Sequence, residues 1–87
     1  VEFRLYQNYP NPFNTNSKIK YQIAKLSYVK LIIYDILGSE IGVLVDKKLS
    51  PGIHEVIWNA SNFASGVYFY RIEAGKFIDT KKMVIVK

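Results

Sequence analysis

From Ser17 to Ala24 the chain reads SKIKYQIA, and its character switches at every second residue. Ile19, Tyr21 and Ile23 share one parity, while Lys18, Lys20 and Gln22 share the other. A period of two belongs to a β-strand with one face buried and one face wet. The signature returns at intervals of about ten residues, as in sandwiches and barrels. YVKLIIYDI puts Val29, Leu31 and Ile33 on one side, with Ile32 and Tyr34 keeping the other side apolar, which predicts a central strand. EIGVLVDKK follows. In IHEVIWN, His54, Val56 and Trp58 share a face, and in GVYFYRIEA, Tyr68, Tyr70 and Ile72 oppose Val67, Phe69 and Arg71. FIDTKKMVIVK closes the series, and a short strand near Phe3 to Tyr6 opens it.

Turn residues separate these runs: LGS at 37–39, SPG at 50–52, the polar NASNFAS at 59–65, and AGKF at 74–77, which predicts a hairpin. The best helical candidate, Ile41 to Lys48, is rich in β-branched residues and contains Gly42. The expected fold is therefore all-β, an immunoglobulin-like sandwich of about seven antiparallel strands, with a small barrel as the alternative.

A chain of 87 residues allows one domain with a core of modest depth, burying somewhat under roughly two-thirds of its unfolded surface. Residues 1–16 are expected to form an extended Pro/Asn-rich lead-in and first strand, and 17–87 the remaining strands. An apolar fraction of 49% rules out a disordered chain. Cysteine is absent, which excludes disulfides, thiolate metal sites and thiol nucleophiles together. No apolar run approaches the ~18 residues of a membrane-spanning helix, so no membrane insertion is expected. The opening Val-Glu-Phe carries no signal-peptide pattern and reads as part of a longer protein. The net charge of +5 is concentrated at both ends and fits a solvated surface.

Catalytic and ligand motifs are missing. His54 is the one histidine, and the acids Asp35, Glu40, Asp46, Glu55, Glu73 and Asp79 lack calcium-loop spacing. There is neither a G-x-S-x-G elbow nor a phosphate-binding glycine loop. The expectation is no enzyme, no cofactor and no metal, with His54 packed beside Trp58. Seven tyrosines invite an alternative function, an accessory carbohydrate-binding or immunoglobulin-like structural module of a secreted enzyme. However, Tyr21, Tyr68, Tyr70 and Trp58 stand in core registers, and Tyr68 fits a tyrosine corner, its hydroxyl bonded to backbone. Lysines dispersed over several strands, without an RNA-binding motif, argue against nucleic acid.

One stretch obeys no periodicity. QNYPNPFN, Gln7 to Asn14, contains two prolines that fix their own φ and restrict the residues before them. It predicts a rigid corner that aims both Tyr9 and Phe13 at the domain to plug one end of the sandwich.

LYQNYPNPFNTNSKIKYQI, VKLIIYDILGSEI, LVDKKLSPGIHEVIW and ASGVYFYRIEAGKFIDTKKMVIVK together resemble the type A C-terminal sorting domain of the type IX (Por) secretion system of Bacteroidota-like bacteria. The likeness runs from about Leu5 to Lys87. Thr15, Ile23-Ala24 and Trp58-Asn59-Ala60 depart from the family pattern, all at turns. The resemblance implies a non-catalytic secretion signal that directs a larger cargo through the periplasm and across the outer membrane, to the cell surface or beyond. It implies as partners the type IX translocon, a sortase-like peptidase and the upstream cargo. It also implies that the recognition residues lie in the last two strands: Gly66, Tyr68, Arg71, Gly75, Lys82, Met83 and Lys87. The closing strand is expected at a sheet edge, where backbone groups are open to a partner strand or to self-association and lysines limit indiscriminate pairing.

Overall fold

The computed structural model describes residues 2–87 and is built of seven strands, with no helix among those residues. They are β1 (Arg4–Leu5), β2 (Asn16–Ile23), β3 (Ser27–Tyr34), β4 (Glu40–Leu49), β5 (Gly52–Asn59), β6 (Gly66–Ala74) and β7 (Phe77–Ile85). All pairings between strands are antiparallel, in a three-stranded sheet ordered β1-β2-β5 and a four-stranded sheet ordered β4-β3-β6-β7. The architecture is that of an immunoglobulin-like sandwich. The segment considered for a helix is β4: β-branched side chains lose χ1 freedom in a helix and pack well on a pleated surface.

The alternation read from the sequence is the alternation of burial. Ile19, Tyr21 and Ile23 of β2, Val29, Leu31 and Ile33 of β3, and Tyr68, Tyr70 and Ile72 of β6 all point between the sheets, joined by Trp58, Met83 and Ile85. β3 is central and has Ile32 buried on its other face as well. Burial of such side chains is worth roughly 1.5–3 kcal/mol each. Folding is driven by this inner layer rather than by any local element.

Two glycines are needed for the turns around β6. Gly75 (φ 60°) opens the two-residue turn between Ala74 and Phe77, in the left-handed region where only glycine is unstrained. Gly66 (φ 152°) starts β6 opposite Ile85. Tyr68, two residues on, donates its hydroxyl to the carbonyl of Ala64 at 2.8 Å. This is the tyrosine corner expected from sequence, and it ties the 59–65 loop to the sheet.

His54 does not pack beside Trp58. Its ring stacks on Tyr21, its cross-strand partner, at 5.6 Å and 19°, with Nε2 2.9 Å from the Ser50 carbonyl. Trp58 instead meets Phe13, Phe63 and Tyr68, with centroids 5.4–5.9 Å away. Two residues four apart on a strand share a face but stand about 13 Å apart along it, too far for direct contact.

Candidate partner-recognition surface

The lead-in, read as a plug for one end, does something further. Phe13 is 3% exposed and meets Trp58 edge-on, as expected. Tyr9, expected to turn inward too, is 80% exposed. Its N–H donates to the Lys18 carbonyl (2.9 Å) and its carbonyl accepts from the Lys18 N–H (2.8 Å), so its backbone extends the β2 ladder while its ring faces solvent. The inward position beside it belongs to Asn8.

Asn8 anchors a buried polar knot. Its N–H donates to the hydroxyl of Tyr70 (2.8 Å), which donates onward to the Tyr6 carbonyl (2.7 Å). Its side-chain amide donates to Ser17 Oγ (2.8 Å) and the Pro10 carbonyl (3.2 Å), and Ser17 Oγ donates to Pro10 as well. Gln7 Nε2 donates to Asn8 Oδ1 (2.7 Å). Buried polar groups persist when satisfied in this way. Burial pushes the Tyr70 phenol up to about 12, opposed by the Asn8 hydrogen bond and reinforced by Asp79. Sequence reasoning passed over Asn8 and Ser17. The available signal was a serine at the inward parity of β2, where an unpaired hydroxyl is costly.

From this knot the lead-in runs along the outer edge of β7. Phe13 donates to the Val84 carbonyl (3.0 Å) and accepts from the Val86 N–H (2.9 Å), in a parallel bridge. Asn11 Oδ1 accepts from the Val84 N–H (3.0 Å), and Gln7 Nε2 donates to the Lys82 carbonyl (2.7 Å). β7 is an edge strand as expected, but between the Lys82 carbonyl and the Val86 N–H a strap of backbone and amide side chains covers its edge. The open part is limited to the Ile78–Thr80 end.

The seven residues implicated by the resemblance therefore divide. Tyr68 and Met83 lie in the core, and Gly66 and Gly75 shape turns. Lys87 Nζ donates to the carbonyls of Ala60 and Ser61, both at 2.9 Å, pinning the loop before β6. Arg71 and Lys82 stand on the outer face of the four-stranded sheet, where register places Arg71 beside Ile32 and Thr80, and Lys82 beside Phe69. The Arg71 guanidinium lies 5.0 Å from the Tyr34 ring centroid, and its Nη2 is 2.7 Å from Glu73 Oε2. Its Nε is buried and meets no acceptor among the described residues. Tyr34, Gly38, Phe69, Arg71 and Thr80 outline a shallow depression of about 250 Å³. A guanidinium against an aromatic ring, with a lysine on the same sheet face, can engage a carboxylate or a backbone carbonyl.

Among the described residues no three His, Cys, Asp or Glu side chains cluster closely enough to hold a metal ion. A larger open cleft of about 430 Å³ lies on the outer face of the three-stranded sheet, lined by Tyr6, Gln7, Tyr9, Lys18, Lys20 and Glu55. The Lys20 ammonium sits 4.7 Å from the Tyr6 ring centroid.

Compared with known families, residues 7–87 match the model described as secretion system C-terminal sorting domain. A search of curated proteins returned no match.

Proposed function

The chain belongs to the secretion system C-terminal sorting domain family, and from that premise we propose that it is a non-catalytic address carried behind a cargo and read by the type IX translocon. Membership of the family entails a role as a C-terminal sorting signal for type IX secretion, and hence export to the medium or the cell surface. On our reading the cargo folds in the periplasm, crosses the outer membrane because the translocon binds this domain, and is then released by a sortase-like peptidase.

The observation that supports this reading most is the placement of Arg71 and Lys82. Of the residues assigned to recognition they are the pair on one outer face, Arg71 against the Tyr34 ring and Lys82 in register with Phe69. The remaining five hold the fold that presents them. The domain, fused behind a periplasmic reporter in a type IX-competent cell, is expected to bring the reporter to the surface. Arg71→Ala with Lys82→Ala is expected to abolish display while the purified domain keeps its melting temperature within a few degrees. Full display by the folded double variant would refute the assignment of these residues, and failure of the unaltered fusion would refute the function.

The exposed Tyr9 ring beside the larger cleft favours carbohydrate binding as a second reading. Saturable binding to an insoluble glycan that is lost in Tyr9→Ala would support it, and no binding would remove it.

A further inference from the structure

A sandwich exposes four sheet edges, and an open edge invites pairing with another chain unless something blocks it. Three of these edges are blocked. β1 is two residues long and lies beside β7, with Phe3 stacked on Phe77 at 5.4 Å. β7 is strapped along its second half, and its remaining half carries Asp79 and Lys81 at the inward parity of Met83 and Ile85. β4 is broken by register shifts opposite Leu31/Ile32 and Ile33/Tyr34, and it carries Lys47 at the inward parity of Val45. Bulges and inward-pointing charges are recognised blocks to edge pairing.

β5 has none of these blocks. It pairs with β2 over eight consecutive residues without a register shift, and it contains neither lysine nor proline. Lys18 and Lys20 of β2 bond to Tyr9 and Tyr6 on one side, so Ser17, Ile19, Tyr21 and Ile23 bond to β5 on the other, opposite Trp58, Val56, His54 and Gly52. By the alternation of an antiparallel ladder, Ile53, Glu55 and Ile57 direct their N–H and C=O groups outward. Nothing among the described residues caps those groups. The same three residues project their side chains from the outer face, with Ile53 and Ile57 each 62% exposed. Between the isoleucines stands Glu55, half-exposed, 3.6 Å from Lys18 and opposite Lys20 in the ladder on its inner side.

We propose that the open edge of β5 accepts an extended peptide strand with a basic side chain flanked, two residues to either side, by apolar ones. Backbone bonds to Ile53, Glu55 and Ile57 supply the affinity, and the alternating side chains supply the selectivity. A second copy of this chain fits poorly. In the centred two-fold register Glu55 meets Glu55, and in registers shifted by one pleat isoleucine meets Glu55, Asn59 or Pro51. The carboxylate thus acts against self-pairing while leaving a complementary strand welcome. The proposal does not depend on the secretion reading, since it concerns a different sheet.

The test is a titration of the isotope-labelled 87-residue chain with a nine-residue peptide of alternating threonine and valine with lysine at its centre, beside the same peptide with central glutamate. The Ile53, Glu55 and Ile57 amide signals are expected to shift and their hydrogen exchange to slow, with the lysine peptide binding at least roughly tenfold tighter. Glu55→Lys, a surface change that the unperturbed remainder of the spectrum will show to be folded, is expected to invert the preference. Equal binding of both peptides, no shift at these three amides, shifts confined to Ile78 and Thr80 of β7, or concentration-dependent shifts without peptide would each overturn the proposal. The last outcome would place a second copy there instead.

Discussion

The two flanks of the sandwich are closed by opposite means. On the β1/β7 flank the lead-in threads between the sheets' edges, sends Phe13 and Asn8 inward and bonds the Lys82 carbonyl, both backbone groups of Val84 and the Val86 N–H. On the β4/β5 flank the sheets meet through a short corner at Leu49–Gly52, and Ile41, Leu44 and Val56 stay half-buried. The difference shows that a small sandwich need not guard its edges uniformly. Here β7 is the better guarded of the two edges, in line with the outer-face recognition proposed above.

The comparison is broken most forcefully at Phe13. Phe13→Ala opens a cavity against Trp58 and is expected to cost about 3–5 kcal/mol in denaturant unfolding. A loss below about 1 kcal/mol would mean that the strap is not integral to the fold. Tyr70→Phe comes next. It leaves the Asn8 N–H and the Tyr6 carbonyl without their partner and should cost about 2–3 kcal/mol. Asn8→Ala keeps the backbone N–H that donates to the Tyr70 hydroxyl and removes instead the side-chain bonds to Ser17, Pro10 and Gln7, so a double-mutant cycle with Tyr70→Phe reads the coupling of two separate sets of bonds within one knot.

The same tyrosine gives a pH signature. Burial pushes its phenol up to about 12 in the folded state, against about 10 in an unfolded chain. The folded state therefore holds the proton more tightly, its contribution is complete below about pH 10, and stability falls as pH rises toward 12. Thermal melts across that range should show the fall, and Tyr70→Phe should flatten it in part. Tyr21, raised by burial, and Tyr28, raised chiefly by its hydrogen bond to Asp46, contribute in the same direction. The smallest effect is expected on the open flank. Ile57→Ala should change stability by no more than about 0.5 kcal/mol, and the amides of Ile53, Glu55 and Ile57 should exchange with solvent far faster than those of Phe13, Val84 and Val86. Equal protection on the two flanks would erase the contrast.

Much of the fold was legible because a strand's period is local. Lys18-Ile19-Lys20-Tyr21 announces its buried face without reference to any partner, and Gly75 marks its turn by the backbone angle it alone tolerates. Tyr68 was legible as a corner because its hydroxyl needs an acceptor only a few residues upstream. The candidate surface was legible in part. The outward side of Arg71 was legible in the alternation of its strand, whereas no face was read for the last strand, where Met83 turns out buried and Lys82 exposed. Lys87 was not readable at all: its partners Ala60 and Ser61 lie more than twenty residues away.

The amino-acid order by itself determined that this chain is a seven-strand sandwich, which side chains lie between its sheets, and which family it joins. Tertiary structure alone decided that Asn8 rather than Tyr9 turns inward, that the proline-rich lead-in lies along β7, and that β5 is left with an unguarded edge. The physical reason is that alternation tells each residue its face but not its neighbour. Neighbours are chosen by hydrogen bonds and packing between segments as far apart as Gln7 and Lys82, which no local pattern encodes.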